Sequence, residues 1–144
     1  MQLELGRRAD YAIRVVLELS RQQGRGRRKA REIGAQVDVP RAYLAQILAR
    51  LVESGLVLSR AGPAGGYELA GRPADLDLLS VVEAVDGTLR STECVMRGIA
   101  CQEDGTCVVH EPWSRAQEAL RARLAATTFA DLADPPTLTA AAAR

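Results

Sequence analysis

The sequence predicts a mainly α-helical protein with one small β-hairpin. Apolar residues recur at the i, i+3, i+4, i+7 spacing of a helix in several segments, and a glycine-rich turn separates two short apolar runs between residues 56 and 70. The chain has 144 residues, of which 47% are apolar. This length suits one domain plus an assembly element and is too short for a two-domain enzyme of ordinary size.

Three helices are predicted before residue 56. ADYAIRVVLELS and KAREIGAQV each carry an apolar stripe, and the second of them stops before Pro40. The third lies in VPRAYLAQILARLVESG, where Pro40 suits the first turn and Gly55 follows the end. The apolar stripe of this third helix consists of Leu44, Ile47, Leu48 and Leu51. Because only a short polar turn separates the second and third helices, the pair is predicted to form a helix-turn-helix.

Charge divides the chain into two halves. Residues 1–60 contain 12 Lys or Arg against 6 Asp or Glu, whereas residues 61–144 contain 7 against 12. A basic half favours nucleic acid as a partner, since neutralising phosphates releases counterions and gives affinity that does not depend on base sequence. The alternative is that basic runs such as RGRRKAR at residues 25–31 are only solvated loops or helix ends.

The hairpin LVLSRAGPAGGYELA follows the helix-turn-helix directly and is therefore predicted to be a wing. In such a unit the second helix enters the major groove with its N-terminal residues, and the wing contacts phosphate or the minor groove. A nucleotide-binding loop is disfavoured, because no Lys-Ser or Lys-Thr follows the glycines. The predicted DNA contacts are Arg28, Lys29, Arg41, Tyr43, Gln46, Arg50, Arg60, Gly62, Gly65 and Gly66.

Three more helices are predicted after the hairpin, in LDLLSVVEAVDG, EPWSRAQEALRARLAATT and TFADLAD. The long middle helix has a narrow apolar stripe, which needs either the body of its own subunit or a second copy as a partner surface. The stripe consists of Trp113, Ala116, Leu120 and Leu124. In the last helix Thr128 is expected to act as the cap, with Asp131 three positions later. The tail at residues 135–144 is expected to be loose.

All three cysteines and the only histidine lie between residues 94 and 110. Three cysteines cannot all pair internally as disulfides. The sequence shows neither a membrane-spanning apolar segment nor a signal-peptide core, so a cytoplasmic location is expected, where clustered thiols more often bind metal than each other. Six, five and two residues separate Cys94, Cys101, Cys107 and His110 in turn, and the first two gaps are wider than a usual zinc knuckle. An iron–sulfur cluster, a zinc ion and a metal-free thiol sensor all remain open on spacing alone, with the cluster favoured.

Several motifs, in order, resemble those of the Rrf-type winged-helix regulators, whose iron–sulfur members include IscR and the nitric-oxide sensor NsrR. These motifs are RADYAIR, YLAQIL, GLVLSRAGPAGGYELA, LSVVEAVDG and the three-cysteine loop, and the resemblance covers about residues 1–134. It implies a homodimeric transcription factor with a long dimerisation helix, in which a cluster controls operator binding. One departure lies in the wing, where Ala61 separates Arg60 from Gly62, whereas the family commonly has Arg and Gly adjacent.

The resemblance also implies the metal ligands. Cys94, Cys101 and Cys107 match the three cysteines of the family, with one residue added in the first gap. His110 matches the histidine of IscR-like sequences, which hold a 2Fe–2S cluster, and is the favoured fourth ligand. Asp10 matches the aspartate that NsrR-like proteins donate from the partner subunit to a 4Fe–4S cluster, and is the alternative.

The sequence thus predicts a DNA-binding regulator, with a repressor favoured, and not an enzyme. Its cluster would sense redox state, nitric oxide or iron–sulfur supply, and its partners would be double-stranded operator DNA and a second copy, with no membrane. The expected divisions are a winged helix-turn-helix at residues 1–75, a cluster loop with the dimerisation helix at 76–134, and a flexible tail at 135–144. The rivals are a winged-helix regulator with a zinc or metal-free thiol sensor and, less favoured, an iron–sulfur electron-transfer protein. The last has no second cofactor motif and no use for a basic first half.

Overall fold

The computed structural model describes residues 4–89, 94–96 and 107–134, and it confirms a mostly helical fold with a two-stranded antiparallel hairpin. The predicted loose tail and Cys101 lie outside these residues. The elements are α1 (Arg7–Arg21), α2 (Ala30–Gln36), α3 (Arg41–Glu53), β1 (Val57–Arg60), β2 (Gly66–Leu69), α4 (Leu78–Asp86), α5 (His110–Ala125) and α6 (Phe129–Ala133). A 3₁₀ turn at Pro73–Asp75, which the sequence patterns did not predict, precedes α4.

The apolar core is built around α1, which packs against α3, α4 and α6. The apolar stripes predicted for α1 and α3 are the faces that the structure buries, as expected for amphipathic helices on a common core. Phe129 of α6 is fully buried in the same cluster. The other core residues of the later helices are Val81, Val82 and Val85.

Side-chain caps fix two of the helix starts. The Asp77 carboxylate accepts the backbone N–H of Ser80 at 2.8 Å and begins α4. The predicted cap of α6 is confirmed: the Asp131 N–H donates to the Thr128 hydroxyl at 3.2 Å, and the Thr128 N–H donates to the Asp131 carboxylate at 3.0 Å. Pro40 differs slightly from expectation, because its extended backbone places it just before the first turn of α3.

A short backbone pairing joins the start of α4 to the start of α6. The Leu78 N–H donates to the Thr127 carbonyl at 2.9 Å, and the Phe129 N–H donates to the Leu76 carbonyl at 2.9 Å. We call this contact the 76–78/127–129 pairing. Because of it, the chain returns to the body of the protein directly after α5.

Helices that cross a membrane must be long and predominantly apolar. Within the described parts of the chain, none is long and apolar enough to cross a membrane.

Candidate nucleic-acid interface and metal centre

The predicted base-reading residues lie on the solvent face of α3. Leu44, Ile47, Leu48 and Leu51 anchor the opposite face in the core. Four of the predicted DNA contacts are exposed on this helix: Arg41, Tyr43, Gln46 and Arg50. Two guanidinium groups and one amide are therefore available to a duplex along a rigid helix, which is the arrangement that major-groove reading requires.

The Tyr43 ring is contacted on one side by another aromatic ring. Its ring meets that of Tyr11 in α1 edge to face, with centroids 5.5 Å apart and an interplanar angle of 62°. The Tyr43 side chain is still 40% exposed. The contact fixes the direction of the ring, so that a pre-oriented phenol lies near the start of α3.

The wing places bare backbone next to Arg60. Arg60, the last residue of β1, is opposite Gly66 in the hairpin register and is exposed. The turn closes through a 3.0 Å hydrogen bond from the Gly65 N–H to the Gly62 carbonyl. Gly62 has a φ of +97°, and a Cβ at Gly65 would lie 2.1 Å from the Arg60 carbonyl oxygen. Both positions therefore require glycine, and the wing tip can approach a groove closely.

A third extended segment pairs with the wing, and the sequence patterns did not predict it. The Arg28 N–H donates to the Tyr67 carbonyl at 2.9 Å, and the Tyr67 N–H donates to the Arg28 carbonyl at 2.8 Å. Arg27 adds an ion pair with Glu68 of β2 at 2.7 Å. Gly66 allows this close approach, since a Cβ there would lie 2.6 Å from the Arg28 carbonyl oxygen. The segment before α2 thus anchors the wing to the helix-turn-helix.

This anchoring gives Arg28 and Lys29 structural contacts besides their predicted role at DNA. The Arg28 side chain is half-buried, and its Nε has no hydrogen-bond partner among the residues that the structure describes. The Lys29 backbone N–H donates to the Glu32 carboxylate at 2.7 Å, and this hydrogen bond holds the pKa of Glu32 below its ordinary value. The Lys29 backbone is therefore fixed at the start of α2.

Arg31 joins the candidate DNA face although the sequence patterns did not single it out. It is exposed on α2 and lines, together with Arg41, a cleft of about 710 Å³ between α2, α3 and Tyr67. The sequence did contain an indication of this role, because Arg31 ends the basic run at residues 25–31. Only the fold shows that Arg31 and Arg41 flank one cleft.

The cysteine segment is described in part. Cys94 and Cys107 are half-buried, while Cys101 lies outside the described residues. His110 begins α5, and its backbone N–H donates to the Cys107 carbonyl at 3.2 Å, which keeps these two residues on one turn. Within residues 4–89, 94–96 and 107–134, no three His, Cys, Asp or Glu side chains are gathered as a metal ion would require. The predicted ligand set stays a prediction.

The donor chemistry fits an iron–sulfur group. Thiolates and an imidazole are the ligands that such clusters use. Trp113 in the first turn of α5 adds an observation: its Nε1 is buried and has no hydrogen-bond partner in the described part of the chain. It lies three residues after His110, on a neighbouring part of the helix surface. A buried N–H donor normally has an acceptor, and sulfur atoms held by this loop would provide one.

The alternative ligand Asp10 is already engaged within its own helix. Its carboxylate accepts the Nε of Arg14 at 3.0 Å and pairs with the Nη2 of the same residue at 3.0 Å. Both side chains are 45% exposed. Asp10 would have to share its carboxylate with Arg14 or release Arg14 in order to bind a metal.

The long helix α5 packs against α4, and none of its residues is buried. On its predicted apolar stripe, Trp113, Leu120 and Leu124 are half-buried and Ala116 is exposed. A guanidinium of α5, that of Arg121, pairs with the Glu83 carboxylate of α4. The apolar stripe is therefore incompletely covered by the subunit to which it belongs.

Comparison with known proteins agrees with this architecture. Residues 5–135 match the Rrf2 family of iron-dependent transcriptional regulators. The HTH-type transcriptional regulator IscR of Klebsiella pneumoniae (strain 342) is 29% identical over 130 residues, which cover 90% of this chain and 79% of IscR. CymR, the global cysteine regulator of B. subtilis, superposes with a TM-score of 0.77 at 26% identity, over 92% of this chain and 97% of CymR. IscR from T. potens superposes with a TM-score of 0.73 at 23% identity, over 92% and 87%, and at this identity it shows the fold alone.

Proposed function

Because this chain belongs to the Rrf2 family of iron-dependent transcriptional regulators, we propose that it binds operator DNA as a homodimer under the control of an iron–sulfur cluster. It is a transcriptional regulator, as its relatives are. The observation that carries the proposal is the combination of two features in one small chain. An exposed basic face on α3 and the wing accompanies a segment that holds every cysteine and the only histidine.

DNA recognition is assigned to α3 and the wing. Arg41 and Arg60 bind phosphates or the edges of the grooves, and Gln46 reads a base edge in the major groove. Arg28, Lys29, Tyr43, Arg50 and the three wing glycines are assigned as further DNA contacts. Two such units bind successive major grooves only when their spacing matches the helical repeat of DNA. The expected division at residues 75 and 76 separates this DNA-binding unit from the region that sets the spacing.

Substitutions of exposed side chains test this assignment. Arg41→Ala and Arg60→Ala should weaken binding to selected operator fragments and to random DNA alike, and should reduce the salt dependence of affinity. Gln46→Ala should cost roughly 1–3 kcal/mol at the operator and little on random DNA, because it removes a base contact. Arg123→Ala, an exposed change on α5, is the control. Fluorescence anisotropy across a salt series measures the DNA affinity of all four variants. If Gln46→Ala lost the same affinity on the operator and on random DNA, Gln46 would be excluded as a base reader.

The cluster is assigned to Cys94, Cys101, Cys107 and His110, with a 2Fe–2S group favoured. When bound, it would supply a redox-active and nitric-oxide-reactive group at the start of α5. Because His110 is the first residue of α5, holding its imidazole fixes the direction in which the helix leaves the loop. The alternative is a 4Fe–4S group held by the three cysteines and Asp10 of the partner subunit. Loss, oxidation or nitrosylation of the cluster would release or move its ligands. Because α5 begins at His110, this would alter the spacing of the two DNA-binding units, with a typical coupling of about 1–3 kcal/mol.

Anaerobic purification tests the cluster. Stoichiometric iron and sulfide with visible absorption are expected, and Cys94→Ala, Cys101→Ala and Cys107→Ala should each remove them. His110→Ala should strip or destabilise the cluster, whereas Asp10→Ala should leave the spectrum unchanged. The reverse pattern would transfer the fourth position to Asp10. Stoichiometric zinc without iron would overturn the proposal.

A metal-free thiol sensor is the second candidate. The observation that favours it is the likeness to CymR, a cysteine regulator with the same fold at 26% identity. It predicts a colourless protein whose DNA affinity responds to thiol oxidation. The same anaerobic preparation distinguishes the two functions, since only the cluster protein loses iron when Cys107 is replaced.

A further inference from the structure

The carboxylate of Glu83 in α4 contacts two separate elements. Its Oε1 accepts the backbone N–H of Leu89 at 2.9 Å and also pairs with the guanidinium of Arg121 in α5. Leu89 stands just before residues 90–93, which lead to Cys94. Arg121 belongs to the same helix that His110 begins. The Glu83 side chain therefore connects Leu89, which precedes Cys94 in the chain, with the helix that begins at His110.

The surroundings make these contacts stronger than ordinary surface pairs. The side chains of Glu83 and Arg121 are only 25% and 21% exposed, so water and salt screen them less than exposed charges. Hydrogen bonds to an ionised acceptor are shorter and stronger than neutral ones. In addition, Gly87, the residue directly after α4, donates its N–H to the Glu83 carbonyl at 3.0 Å. Backbone and side chain of Glu83 together fix the chain between the end of α4 and Leu89.

We propose that Glu83 is a positioning residue for the cysteine segment. It holds Leu89, which precedes that segment, and α5 in one relative arrangement, so that Cys94 and His110 approach a common site. Glu83 is not itself a ligand, and Cys94, Cys101, Cys107 and His110 keep that role. The inference rests on the proposed function, because it assumes that these residues hold a cluster.

Asp86 provides a matched control in the same helix. It is three residues from Glu83, carries the same charge, and pairs with Arg8 of α1 at 3.3 Å instead of with α5. Asp86→Ala therefore removes an acidic residue and an ion pair from α4 without removing the contacts to Leu89 and Arg121.

The experiment compares full-length Glu83→Ala, Glu83→Gln and Asp86→Ala with the wild type. In the metal-free protein, exchange of the Leu89 amide hydrogen should accelerate by about tenfold or more in Glu83→Ala, because a hydrogen bond to a charged group is lost. In the iron-loaded protein, Glu83→Ala should lose its cluster at least about fivefold faster and show a changed visible circular dichroism spectrum. Glu83→Gln should restore part of both properties, since its amide oxygen still accepts the Leu89 N–H. Asp86→Ala should match the wild type in both.

A double variant separates positioning from a simple charge effect. Glu83→Ala leaves Arg121 with a poorly hydrated, unpaired charge, and Glu83→Ala/Arg121→Ala removes that charge as well. If the double variant regains the wild-type spectrum and cluster lifetime, the inference is overturned, because the lost Leu89 contact would have had no effect. Equal cluster lifetimes in Glu83→Ala and Asp86→Ala would overturn it too. A wild-type protein that binds no iron would overturn the proposed function and this inference together.

Discussion

The winged-helix body and the cysteine-bearing region are stabilised in different ways. The body consists of α1 to α4, the hairpin and α6, and its buried apolar side chains form one cluster. The cysteine-bearing region consists of residues 94–125, where α5 has 16 residues and buries none of them. Its ion pair between Arg115 and Glu111 is 80% and 72% exposed, and such pairs stabilise little.

This difference shows which kind of interaction specifies each region. Apolar burial, which grows with area removed from water, selects the arrangement of the body from its own side chains. The described part of the second region has candidate ligands, an incompletely covered apolar stripe and the polar link through Glu83. Under the proposed function, a group bound at the cysteines would therefore act on α5, while the body keeps its shape.

The largest expected effect tests the body. Phe129→Ala removes a fully buried ring and should lower the free energy of unfolding by about 3–5 kcal/mol. Leu124→Ala on the half-buried stripe of α5 should cost less than about 1 kcal/mol at low protein concentration. Urea denaturation followed by circular dichroism measures both. Similar costs at the two positions would remove the contrast between the regions.

The second effect concerns the apolar stripe of α5. If a second copy covers this stripe, Leu120→Glu should raise the dimer dissociation constant at least about tenfold. A loss of this size is typical when a residue at the centre of an interface is changed. Ala122→Glu is the control, because Ala122 is exposed and lies two residues away, on a different side of the helix. Sedimentation equilibrium gives both dissociation constants. Equal weakening by both changes, or a monomeric wild type, would contradict a dimer through this stripe.

The smallest effect is a pH dependence at the start of α6. Hydrogen bonds from the Thr128 hydroxyl and backbone N–H hold the pKa of Asp131 below its ordinary value of 3.8. Since the folded pKa is lowered, the stabilisation is complete above pH 3.8 and is lost as the pH falls through the lower folded value. The stability difference between the wild type and Asp131→Asn should therefore shrink in that acidic range.

Thr128→Ala provides the companion measurement for this carboxylate. It removes the hydroxyl donor, so the pKa of Asp131 should move back toward its ordinary value, and the acid-range slope of stability should become smaller. Thermal unfolding from pH 5 to pH 2 measures the slopes. An unchanged slope in Thr128→Ala would show that the hydroxyl does not lower this pKa.

Local patterns were sufficient to predict the helices. The stripes of α1 and α3 bury the residues that their spacing indicated, and the Thr128 cap was readable because its partner is three residues away. The hairpin was also readable, since its two strands are joined by a turn of glycines. In each case the interacting residues are close in sequence, and the physical preference leaves a short-range signature.

The long-range contacts could not be predicted in the same way. The pairing of Arg28 with Tyr67 and the 76–78/127–129 pairing join backbones, and backbone hydrogen bonds depend little on which side chains the residues carry. The contact between Tyr11 and Tyr43 depends on how α1 crosses α3. For the candidate metal centre, sequence gives the donor types and their spacing. Which donors meet depends on the path of a segment that includes Cys101, outside the described residues.

The 76–78/127–129 pairing has a consequence for the entropy of the chain. It holds the start of α4 beside the start of α6, so that the chain from the end of α4 through α5 is one excursion that leaves the body and returns to it. The entropic cost of closing an excursion rises with the logarithm of its length, so that doubling the length costs only about 0.6 kcal/mol. Adding or deleting one residue beside a cysteine therefore changes the entropic cost of closure by only a small fraction of about 0.6 kcal/mol. The entropy of loop closure therefore places little constraint on the separation of the thiols along the chain.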